Sequence, residues 1–220
     1  MKGLIFEMEA PYFCCFRKPA TTSVILTYPI PPFTTIRGFL ANCLGLGQFP
    51  KHVEYLSLQN GIKIGIQRLE VKGISRELCK ILKLKKTGEG FKRVFPSSPM
   101  FKNYLIGPKY RIYIDGESNI ESLFESLKDP ERPLYLGQSD DMVDVTNVKV
   151  MDIEKTKSKE IHSVIKGVQE NCEIVKLPYK FSKDGKSLEE LTVSIPKKYP
   201  LALDKEVECC RFGEEYIIAY

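Results

Sequence analysis

The stretch Thr27-Tyr28-Pro29-Ile30-Pro31-Pro32-Phe33-Thr34-Thr35-Ile36-Arg37-Gly38-Phe39-Leu40 constrains this chain more than any other. Three prolines within four residues end the β-like run at 24–28, because proline fixes φ and supplies no ladder donor. Helical spacing begins at once: Ile36, Phe39, Leu40, Cys43 and Leu44 share one stripe, with Thr34 and Thr35 as N-cap candidates and Gly45 and Gly47 as the stop. Gly38 inside that helix costs ~1 kcal/mol against alanine and marks a close backbone approach. Arg37 in the first turn opposes the helix dipole, and a helix N-terminus presents free N–H groups that suit phosphate. An anion at this turn and a purely structural helix, with Arg37 paired to a carboxylate, are both open.

The rest of the pattern places this helix in a larger order. Residues 4–10 alternate apolar and acidic side chains as a first strand, 61–69 form a second, 110–115 a third and 143–153 a fourth. Ser118-Asn119-Ile120-Glu121 reads as a capping box, followed by Ile120, Leu123, Phe124 and Leu127 on the face of a second helix. The order is β-α-β, an insertion, then β-α-β. We therefore expect an α+β chain: a ferredoxin-like, RRM-like βαββαβ domain over 1–155 with an insertion at about 71–107. A β-rich extension over 156–220 carries strands at 161–165, 173–180, 191–195, 207–211 and 216–220, packed on the first unit. In the insertion, 75–86 fits a helix or a hairpin arm, Gly88 and Gly90 form a tip, and Pro96, Pro99 and Pro108 limit regular structure.

Charge singles out the insertion. Between Arg68 and Arg111 twelve basic residues face only Glu70, Glu77 and Glu89, a balance of +9 in a chain whose total is +5. Such asymmetry suits a polyanion on one face, although a solvated lysine-rich loop gives the same count. Lys83, Lys85, Lys86, Lys92 and Arg93 would neutralise phosphates, while Phe91 and Phe95 would wedge against bases or pack at the insertion's base.

Several function classes fall away. No apolar run approaches the ~18–20 residues of a bilayer span, and Glu7 and Glu9 interrupt the N-terminal apolar stretch, so a cytoplasmic protein with no membrane partner is expected. The seven cysteines include two adjacent pairs and no C-x-x-C, which predicts reduced thiols and no zinc site. Cys43 and His52 lack ligand spacing, and Asp140, Asp141 and Asp144 lack the partners of a metal cage. Neither G-x-G-x-x-G nor the P-loop pattern occurs, so no cofactor is expected.

Phe16-Arg17-Lys18-Pro19, the segment Thr27 to Leu40, and Leu44-Gly45-Leu46 together resemble the N-terminal signature of the fifth CRISPR-associated (Cas) family, within the RAMP superfamily. Tyr135-Leu136-Gly137-Gln138-Ser139-Asp140 resembles the family's second signature, a glycine loop after the second helix. The resemblance implies an RNA-binding subunit of a type I Cascade complex in antiviral defence. Such a subunit grips the 5′ handle of the crRNA with a ferredoxin-like domain and a protruding thumb. It touches the backbone subunit (seventh Cas family) and the large subunit (eighth Cas family). The candidate RNA contacts are Arg17, Lys18, Thr34, Thr35, Arg37, Lys83, Lys85, Lys86, Lys92, Arg93, Gly137, Gln138 and Ser139.

One branch of that family cleaves precursor crRNA without metal, by activating a 2′-hydroxyl. That chemistry needs a base or acid near neutral pKa and a cation for the phosphorane. The candidate groups for it are Tyr28, Lys51 and the chain's two histidines, His52 and His162. Neither histidine sits in a motif matching that branch, so a non-catalytic subunit is the primary expectation and the endoribonuclease the alternative.

Overall fold

The computed structural model describes residues 1–19, 24–47, 53–82, 85–87, 90–92, 97–116 and 120–220. In chain order its elements are β1 (Lys2–Glu9), β2 (Phe13–Cys14), β3 (Val24–Ile25), α1 (Phe33–Cys43), α2 (Val53–Gly61), β4 (Ile62–Glu70), β5 (Gly73–Leu82), β6 (Lys85–Thr87), β7 (Gly90–Lys92), β8 (Ser97–Ile106) and β9 (Lys109–Gly116). There follow α3 (Ile120–Lys128), β10 (Asp144–Ile161), β11 (Ile165–Lys166), β12 (Cys172–Phe181), β13 (Leu188–Pro196), β14 (Leu201–Phe212) and β15 (Glu215–Ile217). The chain is α+β and rich in sheet, as expected.

The main sheet runs β15-β14-β10-β1-β9-β4, with antiparallel neighbours throughout. Strand alternation splits its side chains between two cores. Leu4, Phe6 and Met8 of β1 join the large core with Phe39, Leu40 and Leu123 of the helices, and Phe6 stacks on Phe39 at 6.2 Å. Ile5 points the other way, into a second core with Tyr113, Ile153, Phe212 and Ile217. There the Tyr113 and Phe212 rings meet edge-on at 5.3 Å, although two strands separate β9 from β14 in the sheet. The sheet is therefore strongly curved around this second core. Gly3 is required on its inner wall: a Cβ there would lie 2.6 Å from the Phe212 ring and 2.7 Å from Ile153.

The C-terminal segment closes the curve. Tyr220 exchanges both main-chain hydrogen bonds with Ile64 of β4, at 2.9 and 3.1 Å, and Val164 donates to the Ile66 carbonyl at 2.8 Å. A second sheet, β11-β13-β12, lies against α1 and α2, where Gln59 and Phe181 exchange hydrogen bonds at 2.9 and 3.0 Å. β10 runs unbroken through residue 155, pairing with β1 before it and with β14 around and after it.

One local expectation is corrected, one open alternative is decided and one element is new. α1 begins at Phe33 with Pro32 as its cap residue and no side-chain cap bond, so Thr34 and Thr35 lie inside the first turn rather than capping it. The Pro32 carbonyl instead accepts from the Thr35 and Ile36 amides at 2.9 and 3.1 Å. The insertion is a long hairpin: β5 pairs with β8 from Gly73–Ile106 to Leu82–Ser97, and Pro99 stands inside the ladder opposite Lys80. A proline nitrogen turned away from the partner strand removes no bond from that pair. α2 was not anticipated, because it buries only Tyr55, Leu58 and the polar Gln59 and so shows little apolar periodicity. Ser118 and Asn119 of the expected capping box lie outside the described residues.

Candidate nucleic-acid interface

β8 organises the site. One edge carries β5; the other carries β2, antiparallel through Phe13–Ile106, and β3, parallel through Val24–Phe101 and Ile25–Lys102. The turn that follows β2 is laid against the approach to α1. Arg17 bridges to Thr27, the Lys18 amide donates to the Leu26 carbonyl at 2.8 Å, and the Phe16 amide donates to Thr27 Oγ1 at 3.0 Å. Arg17 is exposed, and the Lys18 ammonium stands 5.2 Å from the centre of the Tyr28 ring.

The glycine loop docks on this turn. Asp141, almost fully buried, accepts from the Cys15 amide at 2.9 Å and the Gln138 amide at 3.2 Å. Burial raises its pKa, and those two amides together with Lys102 pull against that rise. Cys14 Sγ donates to the Leu136 carbonyl at 3.1 Å, and burial pushes its thiol far up, so it packs rather than reacts. Gly137 has φ +94°, and a Cβ would sit 2.9 Å from the Cys15 carbonyl oxygen, so only glycine fits. Lys102 of β8 is 6% exposed; its ammonium donates to Gln138 Oε1 and lies 4.3 Å from the Tyr104 ring centre. With Gln138 thus held, Gly137, Ser139 and Asp140 are presented to solvent.

The structure therefore gathers Arg17, Lys18, Gly137, Gln138 and Ser139 at the root of the basic hairpin. Thr35 joins them more loosely: with Gly38, Tyr135 and Gly137 it lines a groove of about 230 Å³. A Cβ on Gly38 would meet nothing within 4 Å, so this glycine opens onto that groove and is not approached closely within the chain. Thr34 is half-buried in the first turn. Lys85, Lys86 and Lys92 stand on the β6–β7 ladder, and Lys51, His52, Lys83, Arg93 and Phe95 lie outside the described residues.

Arg37 does not belong to this surface. It is fully buried, and its guanidinium donates to the main-chain oxygens of Tyr179 and, at 3.3 Å, Tyr220, with its carbon 5.1 Å from the Tyr179 ring centre. Burial lowers its pKa, with Tyr179 and Tyr55 opposing. The expected phosphate contact is thus an internal clamp from α1 to β12 and the C-terminal segment. Its partners lie more than a hundred residues away in the chain, where no local pattern shows them.

Of the groups named for the alternative chemistry, the described residues include Tyr28 and His162. Tyr28 is buried beside Phe16, with its hydroxyl raised first by burial and then by Glu190. His162 stands beside β15: its Nδ1 accepts from the Tyr216 amide at 3.2 Å, and the two rings are 6.4 Å apart. Among the described residues no group of three His, Cys, Asp or Glu is placed to hold a metal.

Sequence reasoning missed the hairpin's own side chains. Arg76 lies 4.7 Å from the ring centre of Phe101, Phe13 packs on Tyr104 at 5.7 Å, and Ile74, Leu78 and Phe101 are exposed on the hairpin. The only local signal was the strand-forming content of Phe101, Tyr104 and Leu105, because Phe101-Lys102-Asn103-Tyr104-Leu105 does not alternate apolar and polar residues.

A family model described as CRISPR-associated protein (Cas_Cas5) matches residues 3–198. Among solved structures the chain is similar to one in a "CRISPR RNA-guided surveillance complex", with 13% identity and a TM-score of 0.61 over 92% of this chain and 95% of that one. It is also similar to a CRISPR protein from Archaeoglobus fulgidus, with 12% identity and a TM-score of 0.56 over 100% of this chain and 99% of that one. At such identities the likeness is one of fold. No curated protein matches the chain.

Proposed function

The chain belongs to the CRISPR-associated Cas5 family, and we propose that it serves as a non-catalytic subunit of a Cascade-type effector complex, gripping the 5′ handle of the crRNA. The observation that carries this reading is the docking of the glycine loop, through Asp141 and Gln138, onto the Arg17–Lys18 turn at the root of the hairpin. It sets two cations beside a rim of exposed main chain, which suits the positioning of a sugar-phosphate backbone. The β6–β7 ladder includes Lys85, Lys86 and Lys92, whose charge suits the same polyanion.

The strand order β10-β1-β9-β4, with α1 and α3 packed on one face, supports a ferredoxin-like, RRM-like unit over 1–155 whose thumb is the hairpin at 71–107, extended by the β-rich 156–220. The exposed Ile74, Leu78 and Phe101 suit the neighbouring backbone subunit, and the large subunit is the second protein partner. The proposed setting is cytoplasmic antiviral defence. Among the described residues no helix is long and apolar enough to cross a membrane.

The test is binding of repeat-derived handle RNA in EDTA across a salt series. Binding without cleavage is expected, and Arg17→Ala should flatten the slope of log K against log salt by about 0.7, one phosphate contact on a single strand. Site-specific cleavage that disappears in His52→Ala or His162→Ala would replace this reading with the processing endoribonuclease.

A further inference from the structure

The end of the main sheet remote from the hairpin carries a second site of different chemistry. Lys63 of β4 stands directly opposite Asp115 of β9, and Lys155 of β10 directly opposite Cys210 of β14. Residues directly opposite share a face of the sheet. These four side chains line one cavity of about 590 Å³, roofed by Ile217 and Ile218, and a smaller neighbouring one of about 280 Å³ is again lined by Lys63, Asp115 and Lys155. The larger volume lies in the range of small-molecule sites.

Asp115 is the informative residue. It is only 5% exposed, yet among the described residues its carboxylate meets just one side-chain partner, the Cys210 thiol, at 3.7 Å. Neither Lys63 nor Lys155 closes an ion pair on it, although both line the same space and are themselves exposed. The carboxylate is not sealed in, because Asp115 lines both cavities, and a donor placed there can reach it. The complement is a molecule with two adjacent N–H donors at one end and negative charge at the other. Guanine presents N1–H and the N2 amino group side by side, matching the two oxygens of a carboxylate. Adenine's corresponding edge pairs one amino group with an unprotonated nitrogen that a carboxylate repels.

We propose that this cavity is a guanine-nucleotide site, in which Asp115 reads the N–H edge of the base and Lys63 and Lys155 hold the phosphate. Ile217 and Ile218 contribute apolar lining to the cavity. The site lies roughly 20 Å from the hairpin root, seven residues along β4 and β9, so it is independent of handle binding.

Calorimetric titration of the full chain with GMP and with AMP tests the assignment. GMP should bind, with AMP at least about tenfold weaker, because a site built to accept two N–H groups rejects a base that cannot supply them. Asp115→Asn should abolish the discrimination, and Lys155→Ala should weaken GMP while leaving guanosine unchanged. A short RNA beginning with 5′-phosphoguanosine that binds more tightly than GMP identifies an RNA end as the source; equal or weaker binding identifies the free nucleotide. Equal affinity for GMP and AMP, or no GMP binding up to roughly 5 mM, the weak limit of a useful site, overturns the proposal without any variant having to fold. Handle-RNA binding measured alongside separates failure at this site from failure at the hairpin root.

Discussion

Replacing Arg37 separates an internal clamp from an RNA contact. Its guanidinium donates to the main-chain oxygens of Tyr179 on β12 and of Tyr220 in the closing segment. A hydrogen bond from a charged donor contributes ~1.5–3 kcal/mol, so two contribute roughly 3–6 kcal/mol. Removing a buried guanidinium, whose Nε has no hydrogen-bond partner among the described residues, returns part of this, on the order of 1–2 kcal/mol. Arg37→Ala should therefore cost about 3 kcal/mol net, which at roughly 2–4 °C per kcal/mol for a chain of this size lowers Tm by about 6–12 °C. Arg37→Lys keeps a single donor group and should lose about half as much. Thermal unfolding by circular dichroism gives Tm, and handle-RNA affinity is measured well below both transitions, where it should match the unaltered chain. A Tm within about 2 °C of the parent, combined with a tenfold loss of RNA affinity, would refute the clamp and return Arg37 to the phosphate.

Three further outcomes are expected. Asp141→Ala strands the buried amides of Cys15 and Gln138 and should cost ~2–4 kcal/mol along with RNA affinity, whereas Asp141→Asn keeps an oxygen that accepts both and should stay close to the parent in urea unfolding. Gly3→Ala drives a methyl into Phe212 and Ile153 and should cost ~1–3 kcal/mol by urea midpoint while leaving RNA binding intact. Burial raises the Glu7 pKa, but hydrogen bonds from Arg111 and Lys109 outweigh it and hold the carboxyl below its ordinary 4.5. The folded value lies below the unfolded one, so Glu7 stabilises the fold fully above about pH 4.5 and loses that contribution as pH falls through the folded value. Urea midpoints between roughly pH 6 and pH 3 should fall less steeply in Glu7→Gln than in the parent.

The elements that sequence reading located are those whose partners follow from local pattern. β1, β4, β9 and β10 alternate or run apolar, α1 and α3 carry one apolar stripe each, and the glycine loop announces itself through Gly137. For the basic insertion the sequence left helix and hairpin arm both open, because β5 carries little apolar alternation and Pro99 argued against a ladder that accommodates it. At the site, Arg17 and Ser139 were named through the two signature segments, and both are exposed. Lys102, Asp141 and Arg37 were not, because each is defined by a partner at long range: Gln138, Cys15 and Tyr220 respectively. A charge in a sequence looks the same whether it will face solvent or be folded inside. Its neighbours in space decide, and here they come from other ends of the chain.

The bond between Ile64 and Tyr220 also has a bearing on synthesis. The outer edge of β4, carrying Ile62, Ile64 and Ile66, is made early, but Val164 and then Tyr220 must emerge before that edge is covered. At ~5–20 residues per second, the 156 residues between Ile64 and Tyr220 leave a nascent chain with an unpaired apolar strand for roughly 8–30 s. An open edge of that kind is a template for strands of other chains. On a crowded polysome, neighbouring copies of this chain would compete with its own segment at Tyr220 for β4, and slower translation between Ile64 and Tyr220 would lengthen the contest.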